Sequence, residues 1–151
     1  MNKNADLADL ADLRGLKKGV KQRMLINEEL TQTVIGCFYK VYNTLGYGFL
    51  EHVYENALFY ELSKNDLEVK KQCPITVHYE DIIVGKYFAD IVVDNKVIIE
   101  LKAVSELNTA HESQLMNYLK ATNITVGLLL NFGREAEFRR MVNTKRVINP
   151  R

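Results

Sequence analysis

Tryptophan is absent from the 151 residues, and cysteine, proline and histidine are scarce at two, two and three. Cys37 and Cys73 are solitary, with no C-x-x-C pair and no Cys-His cluster, so neither a disulfide framework nor a zinc site is suggested. Each reads as a small buried hydrophobe. Charge of one sign is lacking too, because 20 Lys and Arg stand against 19 Asp and Glu for a net +1. Apolar runs such as 97–99 and 126–130 fall far short of the roughly 20 residues of a spanning helix. The first residues hold no apolar core of a signal peptide. A cytoplasmic protein with no membrane partner is therefore expected. The 47% hydrophobic content over 151 residues suffices for one globular domain with a real core and leaves no room for a second.

Residues 1–27 differ from the rest. A D-L-A triplet recurs at Asp6, Asp9 and Asp12, followed by Arg14, Lys17, Lys18, Lys21 and Arg23. A period of three matches neither helix nor strand burial, which suggests a low-complexity, mobile tail. Its basic run reads either as a solvated tail or as a nucleic-acid contact. The single domain is then 28–151.

From Asn27 the pattern turns helical, with Leu30, Val34, Phe38, Val41 and Leu45 on one stripe that Gly46 ends. Tyr39 and Tyr42 fall on this helix, where core packing competes with base stacking as their role. After Gly46-Tyr47-Gly48, a second helix is expected over 49–64. Glu51 and Glu55 sit one turn apart on its flank, readable as surface groups or as site carboxylates. Residues 67–79 read as a strand, in which Pro74 suggests either an edge position or an irregularity. His78 has no ligand-spaced companion and reads as structural or exposed. Asn108 and Thr109 can cap a helix over 110–121, on which His111, Gln114 and Tyr118 share a face and could frame a pocket. A strand over 124–131 is apolar throughout and suggests burial on both faces. The basic end, 134–151, is consistent equally with phosphate contact and with a solvated helix.

The chain is organised around residues 87–103, Y-F-A-D-I-V-V-D-N-K-V-I-I-E-L-K-A. Two β-branched runs flank Asp94-Asn95-Lys96, a hairpin signal. Pairing Val93 with Val97 and counting outward sets Ile91 against Ile99 and Asp90 against Glu100. Lys102 shares the face of Glu100, because strand side chains alternate. Opposed carboxylates destabilise a sheet unless something pairs them. A divalent cation is one such partner; a structural Glu100–Lys102 ion pair is the other reading.

These elements run α-α-β-β-β-α-β, with carboxylates on the second helix and both hairpin strands. The pattern resembles the PD-(D/E)XK nuclease superfamily and, within it, the bacterial GxxExxY family. The family motif stands at Gly48, Glu51 and Tyr54. The superfamily signature stands at Asp90 and Glu100-Leu101-Lys102, with Ala89 where Pro is usual, and a Q-x-x-x-Y pair like that of exonuclease branches stands at Gln114 and Tyr118. The resemblance covers residues 30–133. It implies an α/β, restriction-endonuclease-like three-layer core with a central mixed sheet flanked by helices, and metal-dependent phosphodiester hydrolysis of nucleic acid, DNA above RNA. Mg²⁺ or Mn²⁺ would be held by Asp90, Glu100, the Leu101 carbonyl and Glu51, with Glu55 as the alternative helical carboxylate. Lys102 would orient water or stabilise the phosphorane, Gln114 would position the nucleophile or a nucleotide, and Tyr118 would pack beneath it. A catalytically silent module that binds nucleic acid or protein on the same fold is the alternative, and a homodimer stays open. A retaining glycosidase built on Asp90 and Glu100 is disfavoured by Lys102 on the same face and by the absence of Trp for sugar stacking.

Overall fold

The computed structural model describes the backbone of residues 18–144 and the side chains of 27–144. Its elements are α1 (Lys18–Leu45), α2 (Glu51–Ser63), β1 (Val69–Tyr79), β2 (Ile82–Val93), β3 (Val97–Lys102), α3 (Thr109–Ala121), β4 (Val126–Phe132) and β5 (Ala136–Val142). Helix α1 begins at Lys18, nine residues before Asn27, where the sequence pattern turns helical; the D-L-A triplets lie outside the described residues.

The strands form one five-stranded sheet in the order β1-β2-β3-β4-β5. Only β3 and β4 run parallel, joined by α3 as crossover; the other neighbours are antiparallel. Helices α1 and α2 cover one face through Val34, Phe38, Tyr54, Leu58 and Leu62 packed on Ile91, Ile99 and Leu128. Helix α3 covers the other through Leu115, Tyr118 and Leu119 packed on Ile98 and Leu129. This is the expected three-layer architecture. Strand β4 is buried along its whole length, as its unbroken apolar run requires of a central strand covered on both faces. Pro74 sits on edge strand β1, where a missing N–H is tolerated.

Two features depart from the sequence expectation. Strand β2 begins at Ile82, so β1 and β2 form a long hairpin turning at Glu80, whose φ is +53°. The basic end contains a fifth strand rather than a solvated helix. Phe138 of β5 is buried in the core, and buried Arg140 makes an ion pair with Glu28 at 3.2 Å. Arg139 pairs with Glu112 at 3.4 Å and with Glu137. These two arginines are thus engaged within the fold, and residues 145–151 lie outside the described part. Tyr39 and Tyr42 both pack against the core, and the Tyr42 hydroxyl donates to the carbonyls of Gly133 and Arg134 at 2.9 and 2.7 Å.

Candidate active site

The hairpin register is the one counted from the sequence. Val93 pairs with Val97 and Ile91 with Ile99, and Asp94 and Asn95 take the left-handed turn, both at φ +52°, a region that short Asp and Asn side chains tolerate. Beyond Ile91 the regular ladder stops and side chains replace it. The Asp90 backbone N–H donates to Glu100 Oε1 at 3.1 Å, and the Leu101 N–H donates to Asp90 Oδ2 at 2.9 Å. Each carboxylate thereby satisfies the backbone of the opposite strand at the point where the two strands part.

The same point is irregular on β1. Val69 packs in one core whereas Cys73 and Ile75 pack in the other. The side-chain alternation therefore slips between them, at Gln72, whose φ is +51°. Lys71 pairs with Ile91 and Cys73 with Ala89, so Gln72 stands opposite Asp90. Its Nε2 donates to Glu55 Oε1 at 2.6 Å and reaches Asp90 Oδ1 at 3.4 Å. A non-glycine residue in this region stores strain of about 1–3 kcal/mol, a feature that concentrates at functional sites. Gln72 carries no sequence signal, since a lone Gln in a strand is unremarkable until its neighbours in space are known.

The glycine turn and Tyr54 place the helical carboxylates. Gly48 adopts φ +111°, which only glycine accepts without strain. Buried Tyr54 donates its hydroxyl proton to the Gly46 carbonyl at 2.6 Å, accepts from the Phe49 N–H at 3.2 Å, and stacks on Phe132 with ring centroids 4.4 Å apart. The turn is thus tied to the end of the first turn of α2. Of the two candidates, Glu55 is joined through Gln72 to Asp90, whereas Glu51 is exposed in the first turn of α2.

Glu100 is 4% exposed. Burial first, and the facing Asp90 second, push its carboxyl from an ordinary 4.5 up to about 8. Lys102 makes no ion pair with it among the described residues; its Nζ donates instead to Gln114 Oε1 at 3.3 Å, and Gln114 Nε2 donates to the Tyr118 hydroxyl at 2.8 Å. The structural Glu100–Lys102 pair is therefore not what the fold builds. His111 does not join Gln114 and Tyr118. It completes the helix cap: its N–H donates to Asn108 Oδ1 and its Nδ1 accepts from the Asn108 N–H. Past Lys102 the chain is clasped by buried Asn131, whose side chain accepts from the Val104 N–H at 3.0 Å and donates to the Val104 carbonyl at 2.9 Å. Gly133 is required beside it, because a Cβ there would lie 2.1 Å from the Val104 oxygen.

Among the described residues no three of His, Cys, Asp and Glu gather into a ready-made metal cluster. What stands there is a two-carboxylate pair, with Glu55 held one amide away. Two facing carboxyl groups present hard oxygen donors, which fit Mg²⁺ or Mn²⁺ and do not fit a soft metal.

Among curated proteins none matches the chain. A solved crystal structure, that of SSO0001, is similar in fold, with a TM-score of 0.50 and 18% identity, over 84% of this chain and 66% of that one. The family profile of the PD-(D/E)XK nuclease superfamily matches residues 28–142, a span that contains α1 from residue 28 onward, all of α2, the whole sheet and the carboxylate pair. The chain belongs to the PD-(D/E)XK nuclease superfamily.

Proposed function

We propose that the protein is a divalent-metal-dependent nuclease that hydrolyses phosphodiester bonds in DNA. The observation that carries this reading is the reciprocal carboxylate arrangement at the parting of β2 and β3, where Asp90 and Glu100 are fixed by the opposite strand's N–H groups and buried Glu100 faces a second carboxylate. Purely structural carboxylates gain nothing from such a placement, because burial beside a second carboxylate disfavours the charged form of Glu100.

Asp90, Glu100 and the Leu101 carbonyl would hold Mg²⁺ or Mn²⁺, with Glu55 favoured over Glu51 as the helical carboxylate because Gln72 already directs it to Asp90. When bound, the ion would lower the pKa of a water and neutralise charge on the phosphate. Lys102 supplies what an oxygen ligand cannot. As a cation it is excluded from ligation, so its ammonium is left to orient water and to stabilise the charge developing on phosphorus-bound oxygens. Gln114 holds the Lys102 ammonium through its Oε1 and is itself oriented by Tyr118. The Gly48, Glu51 and Tyr54 positions agree with the finer GxxExxY resemblance, in which Tyr54 serves the turn rather than the chemistry.

Incubating the purified protein with labelled single-stranded and duplex DNA tests the reading. Cleavage is expected with Mn²⁺ or Mg²⁺, none with EDTA, and a loss of at least about a hundredfold in Asp90→Ala. Cleavage that persists in Asp90→Ala or in EDTA would count against it.

A further inference from the structure

Beside the carboxylate pair, one face of α3 borders a pocket of about 430 Å³, within the range of small-ligand sites. Ala110, Ser113, Gln114, Asn117 and Tyr118 line it from the helix, and Tyr87 closes it from β2. The helical five follow the i, i+3, i+4, i+7, i+8 spacing of a single face. Tyr87 is 49% exposed, and its ring lies 5.7 Å from that of Tyr118 at an interplanar angle of 45°.

None of the lining side chains carries a charge, so a phosphate meets no cation there. The pocket instead offers an aromatic face at Tyr87, a small apolar contact at exposed Ala110, and exposed hydroxyl and amide groups at Ser113 and Asn117. That combination suits an uncharged, planar ring with hydrogen-bonding edges. Its position narrows the ring further. Gln114 forms part of the wall and also accepts from Lys102, so the neutral pocket abuts the ammonium and, on β2, Tyr87 precedes Asp90 by three residues. A neutral aromatic slot next to a cation and a metal-type carboxylate pair matches the two halves of a nucleotide, base and phosphate.

We propose that this pocket receives one unpaired nucleobase of a single nucleic-acid strand, stacked on Tyr87, with the adjoining phosphate at Lys102; the proposal rests on the nuclease reading of that site. A base seated here cannot also be stacked and paired in a duplex. The substrate is then single-stranded, or melted at the point of attack.

Fluorescence anisotropy with labelled hexathymidylate in EDTA reads base binding without any contribution from the metal, so its outcome is independent of whether the carboxylate pair holds an ion. Wild type is expected to bind. Tyr87→Ala, with an unchanged melting curve because Tyr87 is half exposed, is expected to bind about tenfold more weakly, the loss of one base–aromatic stack. Tyr87→Phe should retain wild-type affinity, and a hexamer with abasic positions should bind wild type as weakly as hexathymidylate binds Tyr87→Ala. Equal affinities of wild type and Tyr87→Ala, equal affinity for the abasic strand, or no binding by wild type would overturn the proposal. Displacement by free thymidine monophosphate at the hexamer's own Kd would likewise overturn it, by assigning the pocket to mononucleotides.

Discussion

At the scale of single residues, Glu100 links stability to function. Its carboxyl is raised to about 8 by burial and by Asp90, so the metal-free fold favours the protonated form. The corresponding stability is fully present below the ordinary value of 4.5 and is lost as pH rises through about 8. Metal-free wild type should therefore melt progressively lower between those limits. Glu100→Gln, which cannot ionise, should flatten that profile and melt above wild type at pH 8, as followed by circular dichroism in EDTA. A variant that melts below wild type at pH 8 would show that Glu100 is charged and paired. Lys102→Met should lower cleavage roughly a hundredfold to a thousandfold while Mn²⁺ affinity stays in place. Its stability should change by less than about 1 kcal/mol, because no ion pair is broken. Cleavage at the wild-type rate, or unfolding in Mg²⁺, would return Lys102 to a structural role. The sequence made Asp90, Glu100 and Lys102 legible, since a strand period of two and a three-residue turn fix which side chains meet. Gln72 was not legible, because its reach to Glu55 and Asp90 depends on a backbone irregularity that no residue type announces. His111 was misplaced for a related reason: its spacing to Gln114 is right for a shared face, but its ring satisfies the helix start.

At the scale of elements, the turn before α2 and the exit of β3 hold the site from two sides. Tyr54→Phe keeps the stacked ring but leaves the Gly46 carbonyl and Phe49 N–H without their partner. Urea denaturation should show a loss of roughly 1–3 kcal/mol. Stability equal to wild type would mean that water replaces the hydroxyl and that the turn is not tied through Tyr54. Most element bounds were readable within a few residues because the apolar stripes of the helices and the unbroken run of β4 are strong signals. Strand β5 was missed because its two buried positions are Phe138 and Arg140. An arginine neutralised by Glu28 sits where alternation would show a hydrophobe, and the surrounding basic residues make the segment resemble a solvated end. The early start of α1 was hidden for the opposite reason, since its first turns carry charge without a stripe.

At the scale of the whole molecule, the sheet is continuous except where β2 separates from β3, and the carboxylate pair lies at that seam. Strand β3 lies at the centre of the sheet and is held by the parallel β4, while the long β1–β2 hairpin diverges from it past Ile91. The seam places Glu100, Lys102 and α3 on one side and α2 with Glu55 on the other, bridged by Gln72. No described helix is long and apolar enough to cross a membrane. In the proposed function this pair of carboxylates holds a cation. Calorimetric titration of Mn²⁺ into wild type, repeated at pH 6 and pH 8.5 in buffers of differing ionisation enthalpy, tests it most directly. Binding is expected to strengthen with pH, to release about one proton at pH 6 as Glu100 gives up its own, and to be abolished in Asp90→Asn. No heat of binding and an unchanged melting curve at saturating Mn²⁺, or binding that persists in Asp90→Asn, would contradict it.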